Sequence, residues 1–114
     1  MRNHRYIARA NVDHYLGILC GTNLTPQHRS TAMALLIAEL DKLSDDAEHL
    51  GFAESKVASS RDQVTQAASI RDSFAAGTSE REHAERHLVH LENIHTAIDN
   101  FCHRLRNKIA SRPS

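Results

Sequence analysis

Apolar residues recur every three or four positions along most of the chain, which is the spacing of one face of an α-helix. Three such stretches predict helices over residues 5–19, 26–76 and 80–110. An apolar stripe at this spacing is hidden from water when helices lie side by side, so the pattern predicts an all-α fold.

Residues that start or stop helices mark the predicted boundaries. Gly21 follows the first helix, and Thr25 is a suitable N-cap for the second. Pro26 then stands at the first helical position, where a missing N–H does no harm. Gly51 lies inside the second stretch and leaves two alternatives. An interior glycine costs a helix only about 1 kcal/mol, so packing can carry the helix through it, whereas a break there gives four helices.

A tight turn separates the last two stretches. Gly77 is a good residue to end a helix, and Ser79 with Glu82 has the spacing of a capping box, in which Ser79 caps the last helix. A short turn makes the two segments antiparallel. Placing Val64 opposite Leu91 then brings apolar residues together along the hairpin: Ala67 with Leu88, Val57 with Ile98, Leu50 with Leu105, and Ile109 with Ala47.

The same register predicts pairs of opposite charge at the far end of the hairpin. It brings basic residues near the end of the chain toward an acidic segment: Arg104, Arg106, Lys108 and Arg112 toward Asp45, Asp46 and Glu48. Exposed pairs of this kind add little stability, so they support the register more than the strength of the fold.

The two alternatives for the second helix differ in how the apolar stripe is covered. Each part of an unbroken second helix would be covered by only one other helix of the chain. A homodimer would then have to bury the apolar residues left exposed. A broken helix could instead close a monomeric four-helix bundle. The stripe residues expected at an interface with a second copy or a partner helix are Met33, Leu36, Leu40, Leu43, Val57, Val64, Leu88, Leu91 and Ile98.

Composition narrows the class of protein. The 114 residues fit a single domain over residues 1–114, and because aromatic residues are few, its core has to come from Leu, Ile, Val and Ala. The 14 basic residues balance 14 acidic ones, which gives no overall attraction to nucleic acid or membrane. No stretch is apolar enough to cross a bilayer and no export signal is recognisable, so a cytoplasmic location with Cys20 and Cys102 as free thiols is expected.

Histidine is the unusual component, with nine residues. His83, His87 and His90 lie within about 60° of one another on one helical face. The hairpin register places Asp72 opposite His83, so these four side chains predict a candidate site for Zn²⁺ or another divalent metal. Structural or exposed histidines are the commoner arrangement, however. No cysteine is nearby and residues 52–76 contain no histidine, so metal-free histidines are the favoured interpretation.

Two other classes of function find less support. Basic residues near both ends of the chain could contact nucleic acid, but a recognition helix, an aromatic platform and a net basic charge are all missing. The basic residues near the two ends of the chain are Arg2, His4, Arg5 and Arg9 at the start, and Arg104, Arg106, Lys108 and Arg112 at the end. A glycine-rich phosphate loop, an activated nucleophile and a buried carboxylate pair are also not recognisable, so an enzyme is not expected.

Two parts of the chain resemble small helical, coiled-coil-like proteins of α-proteobacteria. Residues 11–19, 24–29 and 38–43 are similar to one such group, and residues 53–104, with Arg61, Thr78 and His95, are similar to a second. The resemblance covers most of the chain and implies a helical form and a bacterial origin. Neither group has an assigned function, so no site residue carries over.

The sequence therefore predicts a small cytoplasmic helical module that forms a homodimer or binds the helices of a partner protein. One alternative is a bundle that binds a metal or another ligand through His83, His87 and His90. The other alternative is association with nucleic acid through the basic termini.

Overall fold

The computed structural model describes residues 2–21, 24–44 and 47–111, with side chains from residue 7 onward. Within these ranges four α-helices follow one another, and no strand occurs. The predicted all-α fold is thus confirmed. The helices are α1 (Arg2–Leu19), α2 (Pro26–Leu43), α3 (Leu50–Asp72) and α4 (Ser79–Ala110), and a 3-10 turn at Ala47–His49 precedes α3.

The long second stretch is divided, but not at Gly51. α2 ends at Leu43, where the backbone N–H and the hydroxyl of Ser44 both donate to the carbonyl of Asp41, at 3.3 and 2.8 Å. A serine hydroxyl that competes for a backbone carbonyl favours the end of a helix. Gly51 is instead an ordinary helical residue in the first turn of α3. The alternative with four helices is the observed one.

The turn between α3 and α4 contains the predicted glycine, but the predicted cap is displaced by one residue. Gly77 has φ of 83°, a left-handed conformation that favours glycine. Thr78, rather than Ser79, is the N-cap of α4, and its hydroxyl accepts from the backbone N–H of Arg81 at 3.2 Å. Glu82 then lies one position too far into the helix to complete a capping box.

The helices form two antiparallel hairpins. In the first hairpin Asn11 Nδ2 of α1 donates to Oε1 of the buried Glu39 of α2 at 3.2 Å. This hydrogen bond joins the middle of α1 to the last turns of α2. In the second hairpin Ser60 Oγ of α3 lies 2.6 Å from His95 Nδ1 of α4. This contact has the register predicted from Val64 and Leu91.

The two hairpins pack on each other with α1 beside α3. Arg9 Nε donates to His49 Nδ1 at 2.9 Å, and Lys56 Nζ lies 2.5 Å from Asp13 Oδ1. Residue numbers on the two elements rise together, so α1 and α3 are parallel, and α2 and α4 are parallel in consequence. The bundle measures 55 × 27 × 16 Å. With 32 residues, α4 is much longer than the 18-residue α1 and α2 and extends beyond them at the Gly77 turn.

The apolar stripe is buried inside this one chain. Of the residues predicted at an interface, Leu36, Leu40, Leu43, Val57, Leu88, Leu91 and Ile98 belong to the core, while Met33 and Val64 pack against it half-buried. They contact other helices of the same bundle. A partner protein or a second copy would therefore have to bind elsewhere on the surface.

Two of the predicted basic residues, Arg104 and Arg106, pair with acidic residues other than the predicted ones. Arg104 Nη1 donates to Asp41 Oδ1 at 2.6 Å, and Arg106 Nη2 donates to Glu54 Oε2 at 3.3 Å. Asp41 belongs to α2, which the hairpin register alone did not place beside α4. The other predicted participants Asp45, Asp46 and Arg112 lie outside the described residues.

Candidate ligand groove

An open groove of about 780 Å³ lies between α2 and α4. This volume is in the range of sites for small organic molecules. Its apolar walls come mainly from α2 and from the segment just before it: Leu24, Pro26, Met33, Ala34 and Ile37. Because these positions follow helical spacing, they form one continuous strip along the groove.

The polar lining is concentrated at the end where α2 begins. Arg29 extends from the first turns of α2, and α4 contributes His83, Arg86, His87 and His90. Among the described residues that line the groove there is no aspartate or glutamate. The groove therefore has a charged end, defined here by Arg29, His83, Arg86 and His87, and an apolar end, defined by Met33, Ala34 and Ile37.

Two nitrogen atoms at the charged end are buried without a hydrogen-bond partner. They are Nη1 of Arg29 and Nδ1 of His87, which belong to two residues that line the groove from α2 and from α4. An unsatisfied buried polar group costs about 1–3 kcal/mol, and more when it is charged. Native proteins keep such groups few, so the packing of Arg29 against α4 leaves this part of the bundle with incomplete hydrogen bonding.

Two of the imidazoles, those of His87 and His90, have a lowered pKa. Burial lowers the pKa of His87, and the positive charges of Arg29 and then His83 lower it further. Burial and the charge of Arg29 also lower the pKa of His90, with a contribution from His87. Arg29 remains charged at any physiological pH. The groove therefore contains two permanent positive charges, the half-buried Arg29 and the exposed Arg86, beside two imidazoles with a lowered pKa.

The start of α2 adds to the positive potential of the charged end. Pro26, the first residue of α2, lines the groove, and the first turn of the helix contains no acidic residue. The N-terminus of a helix carries a partial positive charge from its backbone dipoles. Thr25 satisfies only one of the free N–H groups, that of His28, at 3.1 Å.

The predicted metal ligands are only partly brought together. His83, His87 and His90 line one groove as expected, but Asp72 Oδ1 accepts from Arg71 Nε at 2.9 Å and lies 3.8 Å from Arg81 Nη2. The hydrogen bond from Arg71 lowers the pKa of Asp72. In the described part of the chain no three His, Cys, Asp or Glu side chains form a group that could hold a metal ion. Metal binding stays a prediction.

Arg29 is the residue that the sequence pattern did not single out. It stands four and seven positions before Met33 and Leu36, on the face of α2 that carries the apolar stripe. An arginine on such a face is the available signal, because a charged group near a core is costly unless something pairs with it. Its position opposite His87 depends on the packing of α2 against α4, which helical periodicity does not specify.

The thiols and the basic termini take part in internal contacts. Cys20 and Cys102 are free thiols as predicted, and burial raises the pKa of both. Cys20 donates to Gln63 Oε1 at 3.4 Å. Arg9, besides its bond to the ring of His49, lies 5.2 Å from the centre of the Phe52 ring. The side chains of Arg2, His4 and Arg5 lie outside the described residues.

The described helices contain no segment with the length and apolar character needed to cross a membrane. No protein family, curated protein or solved structure matches the chain. The resemblance to α-proteobacterial helical proteins stays a prediction, and the chemistry of the groove is the best guide to function.

Proposed function

We propose that this protein binds a small organic anion that has an apolar part, and that the groove between α2 and α4 is the binding site. The observation that carries the proposal is the half-buried guanidinium of Arg29, in a groove whose described lining contains a second arginine, Arg86, and no carboxylate. An anionic group would offset this positive charge, and the apolar strip along α2 would cover the rest of the molecule.

The residue types of the groove favour binding over catalysis. A histidine that acts as a general base is usually activated by a carboxylate that orients it and raises its pKa. The charged group that acts on His87 is instead Arg29, which lowers that pKa. The charged end offers hydrogen-bond donors and positive charge, which are the means by which proteins hold anions.

A fluorescent anion tests this function directly. Anilinonaphthalene sulfonate has one negative charge and an apolar ring system, so we expect saturable binding to the native bundle and a higher melting temperature in its presence. Arg29→Gln removes the charge and keeps most of the side chain. Losing a charge-assisted hydrogen bond should weaken binding roughly 10- to 100-fold.

Arg61→Gln is the matched control, because Arg61 is exposed on α3 and lies outside the groove. This variant should bind as the wild type does. Absence of saturable binding, or equal affinity in the Arg29 and Arg61 variants, would refute the proposal.

A helical interaction module is a second candidate, favoured by apolar side chains on the outer surface of α2. Leu35 and Ile37 are 43% and 42% exposed, and Ile37 also lines the groove. A helix from a second copy or from a partner protein would cover them. Light scattering over a range of concentrations tests self-association, and a dimer that Ile37→Ser disrupts would support this candidate. A strictly monomeric chain would count against the homodimer.

A further inference from the structure

A buried histidine joins the two hairpins at the end of the bundle where α3 begins. His49, in the 3-10 turn before α3, is 2% exposed, and its Nδ1 accepts from Arg9 Nε of α1 at 2.9 Å. We propose that this contact is a pH-sensitive latch. It holds α1 against the start of α3 while the ring of His49 is neutral, and it releases α1 when acid protonates the ring. The latch does not depend on the groove or on a ligand bound there.

The hydrogen bond between Arg9 and His49 determines the protonation state of the ring. A guanidinium has N–H donors and no acceptor, so Nδ1 of His49 has to offer a lone pair to Arg9. A neutral imidazole with its proton on Nε2 can do so, whereas both nitrogen atoms of a protonated imidazole are donors. The proton that acid adds can therefore enter only at Nδ1, where it removes the acceptor of Arg9.

Protonation also brings two positive charges together. Arg9 remains charged at any physiological pH, and its guanidinium carbon lies 5.2 Å from the centre of the Phe52 ring. Like charges at hydrogen-bond distance in a buried place repel strongly, because little water screens them. Acid therefore replaces an attractive contact between α1 and the turn with a repulsive one.

The other charged groups near the turn do not replace the lost bond. They come from each element packed around it: Asp13 from α1, Glu48 from the turn, Glu54 and Lys56 from α3, and Arg106 and Lys108 from α4. Asp13 pairs with Lys56, and Glu54 pairs with Arg106. Asp45 and Asp46, which precede the turn, lie outside the described residues. A carboxylate facing Nε2 would raise the pH at which the latch opens, but the proton would still enter at Nδ1 and break the bond to Arg9.

The release takes place between the hairpins. Asn11 of α1 donates to Glu39 of α2, a bond in which no histidine takes part, so α1 stays with α2. Apart from the latch, the first half of α1 is tied to α3 by the pair of Asp13 and Lys56, whose side chains are 52% and 26% exposed. An ion pair that is this exposed adds little stability. Opening the latch therefore loosens the first half of α1 from α3.

Nitrogen NMR of the imidazole rings tests the chemistry of the latch. At pH 7.5 the ring of His49 should carry a proton on Nε2 and none on Nδ1, and acid should add the second proton. Amide hydrogen exchange tests the consequence. From pH 7.5 to pH 5 the protection factors of residues 8–14 should fall roughly tenfold relative to those of α4, in line with the contribution of a hydrogen bond to a charged group.

Matched variants separate the latch from titration elsewhere in the chain. His49→Gln keeps an acceptor for Arg9 that does not titrate, so the protection of α1 should no longer fall relative to α4. His87→Gln, in the groove, and His103→Gln, at an exposed position on α4, retain the latch and should respond to acid as the wild type does.

Thermal melts establish that each variant is folded. If His49→Gln does not fold, Arg9→Met replaces it. This variant removes the donor, so α1 should be weakly protected at both pH values. A proton on Nδ1 at pH 7.5, or a wild-type response to acid in His49→Gln or Arg9→Met, would overturn the latch.

Discussion

Arg29 of α2 and His87 of α4 line the same groove, and each has a buried nitrogen atom without a hydrogen-bond partner. The charge of Arg29 lowers the pKa of His87, in addition to the effect of burial. Protonation of His87 would place a second positive charge near Arg29, so acid should destabilise the folded chain.

The first prediction concerns stability against pH. A lowered pKa means that the folded state binds fewer protons than the unfolded state, in which His87 titrates near its ordinary value of 6.5. The stability is therefore complete above that value and is lost as the pH falls through the lowered pKa. We expect urea unfolding to show a less stable protein at pH 5 than at pH 7.5.

His87→Gln should reduce this loss of stability, because the glutamine does not titrate. His90 contributes in the same direction, so part of the pH dependence should persist in the variant. His103→Gln, on the exposed side of α4, serves as the comparison and should leave the loss that comes from His87 and His90 in place. An identical pH profile for His87→Gln and the wild type would contradict the assignment.

The second prediction concerns ligand binding against pH. A bound anion would offset the charge of Arg29, so the pKa of His87 should rise on binding and the complex should take up a proton. Affinity for anilinonaphthalene sulfonate should therefore increase from pH 8 to pH 6. Calorimetry in two buffers with different heats of ionisation measures the proton uptake directly. No uptake, or weaker binding at pH 6, would contradict the expectation.

The expected change in the pKa of His87 depends on the charged and titratable groups of every element packed around it. Arg29 faces it from α2, and His83, Arg86 and His90 accompany it on α4. A smaller cavity on its other side contains Cys20, which follows α1, and the uncharged Gln63 and Gln66 of α3. Burial keeps the Cys20 thiol protonated by raising its pKa. No carboxylate occurs among the described residues of either cavity, so none of these residues offsets the charge of Arg29 near His87.

The third prediction compares two glycines. A Cβ added at Gly17, inside α1, would meet no atom within 4 Å, so Gly17→Ala should stabilise the fold by about 1 kcal/mol through helix propensity. Gly77 has a left-handed backbone, and Gly77→Ala should destabilise the fold by roughly 1–2 kcal/mol although space is available there. Chemical denaturation of both variants measures the difference, and two shifts of the same sign would be inconsistent with the structure.

The fourth prediction tests the hairpin register. Ser60 is 4% exposed, and its hydroxyl lies 2.6 Å from His95 Nδ1 and donates to the carbonyl of Val57. Ser60→Ala should cost about 1 kcal/mol, since the ring nitrogen loses its partner. Ser59→Ala, one position away on the exposed face, should change stability by less than about 0.5 kcal/mol. Equal effects at the two positions would argue against the contact.

Most of the fold could be predicted because it depends on local spacing. The period of the apolar residues determines which face of each helix is buried, and the short turn at Gly77 then determines the register in which Ser60 meets His95. The break after α2 was harder to place. Ser44 ends that helix by bonding to Asp41, whereas the more conspicuous Gly51 is tolerated within α3.

Only the part of the candidate site that α4 contributes could be predicted from the sequence. His83, His87 and His90 share a helical face by periodicity alone, but their relation to Arg29 depends on how one hairpin packs on the other. Asp72 illustrates the same limit. The hairpin register predicts that Asp72 lies opposite His83. Its carboxylate instead pairs with Arg71 and Arg81, and a register alone does not predict which nearby side chain a carboxylate will contact.

The unequal lengths of the two hairpins give the groove a direction. α4 begins well before the level at which α2 begins, so the imidazole of His83 stands on a stretch of helix that α2 does not cover, and it is exposed. Dissolved ions therefore have access to the charged end of the groove. Binding of an anion there should weaken as the salt concentration rises.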